Sequence, residues 1–153
     1  MNEITDQYDR KINYLRISVT DRCNLRCIYC MPEKEITFKG REDILTYDEI
    51  IKIVNLSTEI GINKIKITGG EPLVRKNIAF LIGSLAKIKG IDDISLTTNG
   101  ILLDENIEKL KEFGLKRLNI SLDTLKEEKF KFITRLGELQ KVLKGIDKAS
   151  GRL

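Results

Sequence analysis

Four short runs alternate apolar and polar residues with a period of two: 13–20, 63–69, 92–99 and 116–123. In the first, Leu15, Ile17 and Val19 share one face, and Arg16, Ser18 and Thr20 the other. Ile65 and Ile67 oppose Lys66 and Thr68; Ile94 and Leu96 oppose Ser95, Thr97 and Asn99; Leu118, Ile120 and Leu122 oppose Asn119, Ser121 and Asp123. This period predicts four β-strands, each with one apolar face. Between and after them the apolar spacing lengthens to that of helices, over about 47–60, 76–89, 104–113, 125–133 and 138–149. Thr46 and Glu49 form the T-x-x-E of a capping box, Gly61 stands where the first helix should close, and Gly90 and Gly114 take the same place after the next two.

Strand–helix alternation implies an α/β fold with a parallel sheet and right-handed crossovers. A parallel sheet covered on both faces should read as continuous apolar runs. Here the second face of all four strands is polar. A partial (β/α) barrel of about four units, with a wet interior, explains that pattern; a doubly wound sheet with one poorly covered face is the alternative. In such barrels the functional groups gather at the C-terminal ends of the strands. Those ends carry a cysteine-containing loop, then "TGGEP" (68–72), "TTNG" (97–100) and "SLDT" (121–124).

The 153 residues suffice for one domain, read as 1–153, and 41% of them are hydrophobic. No apolar run reaches the roughly 18 residues of a membrane span, and no signal peptide opens the chain, so the expected location is the cytoplasm. The net charge of +4 is mild and is interleaved along the helices. No basic stripe with aromatics argues for nucleic acid. An anionic small molecule remains compatible.

All three cysteines fall within "CNLRCIYC": Cys23, Cys27 and Cys30, with no histidine anywhere. An odd, tightly spaced set in a reducing compartment is poor disulfide material. Buried structural thiols are one reading, but Asp21, Arg22, Asn24, Arg26 and Glu33 make the loop polar. Three thiolates can hold three irons of a 4Fe–4S cluster and leave the fourth open. A zinc site would need a borrowed ligand to reach its usual four.

"CNLRCIYC" with "GGEP" after the second strand resembles the radical S-adenosylmethionine superfamily. "LRISVTDRCNLRCIYCMP", "KIKITGGEPLVRK", "LTTNG" and "LNISLDTL" more narrowly resemble the GTP 3',8-cyclase family of molybdenum cofactor biosynthesis, from about Leu15 to Ala149. The resemblance implies a lyase that uses one 4Fe–4S cluster and S-adenosyl-L-methionine, reduced by a partner protein and acting on GTP. Cys23, Cys27 and Cys30 would then be the cluster ligands. Reduction would split the sulfonium to methionine and a 5'-deoxyadenosyl radical, with no side chain assigned a catalytic role of its own. Tyr29, Gly69, Gly70, Glu71 and Ser121 resemble the positions that contact S-adenosylmethionine. Arg16, Lys66 and Thr97 match positions that bind GTP. Lys66 departs from the arginine usual in the family, keeping the charge but losing the bidentate fork.

The same resemblance predicts a chain shorter than the family pattern. Six β/α units are common in the superfamily, and the cyclase family carries three further cysteines for a second cluster. No cysteine follows Cys30, and "SGRL" follows "VLKGIDKA" where the helical pattern should continue. On that reading the fourth strand is a sheet edge. Another radical S-adenosylmethionine enzyme and a non-catalytic cluster-binding remnant are the competing readings.

Overall fold

The structure is a computed structural model that describes residues 4–34 and 36–151. Its four strands are β1 (Tyr14–Ser18), β2 (Lys64–Thr68), β3 (Asp93–Thr98) and β4 (Arg117–Ile120). They pair in parallel in the order β1-β2-β3-β4. Helices α1 (Tyr47–Thr58), α2 (Ile78–Ala86), α3 (Leu103–Glu112), α4 (Glu127–Thr134) and α5 (Leu139–Ser150) follow, with short 3-10 turns at Arg41–Asp43 and Pro72–Val74. All nine predicted elements form, within a few residues of their expected limits. The two 3-10 turns were not anticipated. The last two residues of "SGRL" lie outside the described residues.

Helix starts and stops follow local chemistry. Thr46 caps α1 by accepting from the Glu49 N–H, and the Glu49 carboxylate accepts in return from the Thr46 N–H at 2.7 Å. Gly61, Gly90 and Gly114 follow the first three helices, each with positive φ.

The apolar strand face and the inner sides of the helices make the core. Val19, Ile65, Ile67 and Leu96 are fully buried with Val54, Leu81, Ile82, Leu85, Leu103, Ile107 and Leu110. The polar face has no such cover. Arg16 and Asn119 are exposed, and Lys66 and Thr97 are half-buried. Thr20 and Ser95 are buried exceptions on that face, at 8% and 2% exposure, and the Ser95 hydroxyl donates to the Ile65 carbonyl. A second small core of Phe130, Leu139 and Val142 seats α4 and α5. Both β1 and β4 are edges of the sheet, and Phe132, Leu125 and Leu136 beyond β4 are exposed. Among the described residues no helix is long and apolar enough to cross a membrane.

Candidate functional site

The C-terminal ends of β1 and β2 are fastened together. Val19 N–H donates to the Thr68 carbonyl at 2.9 Å, Gly70 N–H to Thr20 at 2.7 Å, and Glu71 N–H to Arg22 at 2.8 Å. Backbones this close leave no room for side chains. A methyl group on Gly69, whose φ is 135°, would lie 2.5 Å from the Thr20 carbonyl oxygen; one on Gly70 would overlap the Arg22 carbonyl. The Gly-Gly pair therefore has a structural duty that the sequence reading did not include: it lets β2 dock on the lead-in to the cysteines.

Glu71 turns away from solvent. Its carboxylate accepts from Thr98 Oγ1 at 2.8 Å, from Asn99 N–H at 2.6 Å and from Leu73 N–H at 3.0 Å. Burial pushes its carboxyl above the usual range, and these donors pull the other way. The side chain thus ties the β2 end to the β3 end. Thr98 sits on the apolar parity of β3, which is why alternation alone passed over it. Asn99, read as inward but given no partner, donates from Nδ2 to Asn24 Oδ1 at 2.8 Å and lies 3.7 Å from Cys23 Sγ.

The far side of the cysteine loop is held by α4. Arg26 N–H donates to the Thr134 carbonyl and Ile28 N–H to Ile133, at 3.1 and 2.9 Å. Arg135 Nη1 donates to the Arg26 and Met31 carbonyls, at 2.9 and 3.1 Å. Arg135 has φ 61°, a costly conformation for a residue with a Cβ atom that persists only where surroundings fix it. Arg26 Nη1 donates to the Cys23 and Leu25 carbonyls. Two guanidinium groups therefore occupy four carbonyls of the loop. Neither was assigned a role from sequence; an arginine one residue beyond a helix end carries no recognisable signal.

Cys23 and Cys27 are half-buried and Cys30 is exposed. Burial pushes the Cys23 and Cys27 thiols up, and neighbouring thiols add to the rise at Cys27. Among the described residues no three His, Cys, Asp or Glu side chains converge as they would on a single ion. Tyr29 donates to Asp123 Oδ2 at 2.7 Å, which raises its hydroxyl pKa and links the loop to the chain beyond β4. Its ring stays exposed at 62%. Ser121, next to that link, is exposed, and its N–H donates to the Thr98 carbonyl.

Arg16 and Lys66 are direct partners in the β1–β2 register. Adjacent like charges on one sheet face are unfavourable without a counter-ion, and among the described residues no carboxylate pairs with either. Thr97, opposite Asn119 in the β3–β4 register, has a buried hydroxyl with no hydrogen-bond partner. The three residues predicted to meet an anionic substrate thus share one face and leave it polar and unsatisfied.

The chain resembles known proteins in both sequence and fold. Over 144 residues the chain is 56% identical to a GTP 3',8-cyclase of Clostridium botulinum (strain Hall), and over 146 residues 57% identical to one of Peptoclostridium acidaminophilum. The matches cover 94% and 95% of this chain but 45% of each relative, so the chain spans about half the length of the curated relatives it matches. Among solved structures, a methylornithine synthase superposes with TM-score 0.71 at 18% identity, covering 91% of this chain and 41% of that one. Streptococcus suis SuiB bound to S-adenosylmethionine gives 0.67 at 19%, covering 91% and 31%. These share the fold. Residues 17–152 match the Radical SAM superfamily, and with a partial parallel barrel and three cysteines at the strand ends, the chain belongs to that superfamily.

Proposed function

We propose that the chain is the cluster- and cofactor-binding unit of a GTP 3',8-cyclase, with residues 1–153 forming one radical S-adenosylmethionine core. The observation that carries this reading is the 56–57% identity to such cyclases across nearly the whole chain. The donor set fits the cofactors. Three thiols with no histidine can ligate three irons of a 4Fe–4S cluster and leave one open to S-adenosylmethionine. Bound together, the two groups supply radical chemistry when a partner protein delivers an electron.

The chain's own residues do the positioning. The Gly69 and Gly70 carbonyls are left out of the ladder that docks β2 on the cysteine loop, and both residues are exposed. They are available to the ammonium of S-adenosylmethionine. Glu71 contributes by fixing that turn rather than by touching the ligand. Ser121 and the exposed Tyr29 ring flank the same end of the sheet. Arg16 and Lys66 meet the triphosphate, relieving their mutual repulsion, and the Thr97 hydroxyl gains the partner it lacks.

Anaerobic reconstitution tests the reading. The expected yield is about one 4Fe–4S cluster per chain, abolished by alanine at Cys23, Cys27 or Cys30. S-adenosylmethionine is expected to be cleaved slowly once the cluster is reduced. GTP conversion should then be assayed with the chain alone and together with the portion of a curated relative that it does not span. Stoichiometric zinc in place of iron would sink the radical reading. Iron and cleavage without any GTP product in either mixture would sink the cyclase assignment.

A further inference from the structure

Outside the barrel, beside the cysteine loop, lies a cavity of about 700 Å³ lined by Val19, Thr20, Asp21 and Arg22, the 39–41 segment, Ile44, the start of α1 and residues 74–76. Five cations, Arg22, Lys39, Arg41, Arg75 and Lys76, face one carboxylate, Asp21. Two of the cations have structural duties. Arg75 donates to the Val19 and Leu45 carbonyls, both at 2.6 Å, and packs 4.3 Å from the Tyr47 ring; Arg22 lies over Phe38. Lys39, Arg41 and Lys76 differ: Asp21 accepts from the Lys39 backbone N–H at 2.6 Å, but among the described residues no carboxylate pairs with the three side chains. The lysines on α5 are held differently: Lys144 and Lys148 both pair with Asp104.

We infer that this cationic face is the docking surface for an acidic one-electron carrier protein that reduces the cluster. The inference rests on the function proposed above. Two features favour a protein over a small anion. The free cations are exposed and come from two segments, 39–41 and 74–76, as suits long-range steering of a charged surface. The unpartnered buried side-chain atoms among the described residues, on Asn63 and Thr97, are both elsewhere, so no buried polar side chain is left waiting for a small ligand here. Position supplies the rest: Arg22 on the wall immediately precedes Cys23. A carrier seated here transfers one electron from its own cofactor to the cluster, being oxidised as the cluster is reduced. Electron-transfer encounters use small, weak interfaces of this kind.

The test uses reduced flavodoxin as the acidic probe and a triple variant, Lys39→Glu, Arg41→Glu and Lys76→Glu, whose side chains hold no backbone in place. A control of equal charge change, Lys52→Glu, Lys87→Glu and Lys89→Glu, lies on other surfaces. Flavodoxin should bind the cluster-free chain in a salt-sensitive manner, and the patch variant should weaken it about tenfold or more at low salt, with a matching fall in cluster reduction rate. Reduction by dithionite and iron content should not change. Equal loss in the control would reduce the effect to net charge and overturn the site. Phosphate binding that the patch variant loses, with carrier kinetics untouched, would make it a small-anion site and overturn the docking surface. Iron uptake is scored separately. A chain that takes up no iron overturns the cluster reading and electron delivery with it; iron uptake with unchanged carrier binding and kinetics overturns the docking surface alone.

Discussion

The two ends of the cysteine loop are held by different means. The front, Val19 to Arg22, is fastened main chain to main chain to Thr68, Gly70 and Glu71, with Gly69 close against Thr20. The back, Arg26 to Met31, hangs on the last turn of α4 and on side-chain links to residues more than ninety positions away: Arg135 donates to the Arg26 and Met31 carbonyls, and Tyr29 of the loop donates to Asp123. The front depends on the absence of side chains and the back on their presence. A rigid backbone contact fails abruptly when crowded. A set of side-chain bonds fails in parts, each worth a kilocalorie or so.

The sharpest break of this contrast is Gly70→Ala. The added methyl would overlap the Arg22 carbonyl, and neither partner is a flexible side-chain tip. Destabilisation of about 3 kcal/mol is expected by chemical denaturation, with iron uptake largely lost. Stability within error of the parent would mean the β2 turn does not lock the loop. Next in size is Arg135→Ala, which removes two charge-assisted bonds to the Arg26 and Met31 carbonyls. Here a loss of about 2 kcal/mol is expected, with Arg135→Lys recovering part of it. Third is Tyr29→Phe. Its bond to Asp123 is short but exposed, so the cost should be about 0.5–1 kcal/mol in thermal unfolding. A larger loss for Tyr29→Phe than for Arg135→Ala would reverse the assignment of what carries the back of the loop.

The same contrast divides what the sequence made legible. Strand alternation placed Arg16, Lys66 and Thr97 on one polar face, and the register puts Arg16 beside Lys66. The cysteine spacing and the Gly-Gly turn stood out because each is a local pattern with a physical demand behind it. Glu71 was legible as a motif member but not as a buried anchor. Its partners, Thr98 and Asn99, lie on another strand, and nothing in the spacing of 71 and 98 says that they meet. Arg135 is harder still. It belongs to no motif, and its role exists only because α4 folds back over residues 26–31. Local chemistry is written in neighbouring residues, whereas a brace made by distant side chains is fixed only by the packed topology.

The smallest expected effect probes the thiols themselves, front against back. Cys23 lies at the front, next to the Asn99 amide and with Leu25 N–H donating to its sulfur at 3.4 Å. Burial is the main reason its thiol is pushed up, and the same holds for Cys27, where Cys30 and Cys23 add to it. Both are therefore thiols rather than thiolates at neutral pH. Cys30 is exposed. Since alkylation needs the thiolate and access to it, iodoacetamide should label Cys30 first in the cluster-free chain, with Cys23 and Cys27 slower by about three- to tenfold. The sign with pH follows from the same shift. Below the raised values the thiolate fraction at Cys23 and Cys27 grows about tenfold per pH unit, so their labelling should quicken steadily from pH 7 to 9. Cluster assembly, which must remove the same protons, should become more favourable in the same direction. Peptide mass spectrometry of partly labelled chain reads all three sites at once. If Cys23 were labelled ahead of Cys30, the front of the loop would be open in solution, and the main-chain contacts at Gly69 and Gly70 would not be what holds it. Arg135→Ala supplies the complementary arm: freeing the back should speed Cys27 and leave Cys23 at its slower rate.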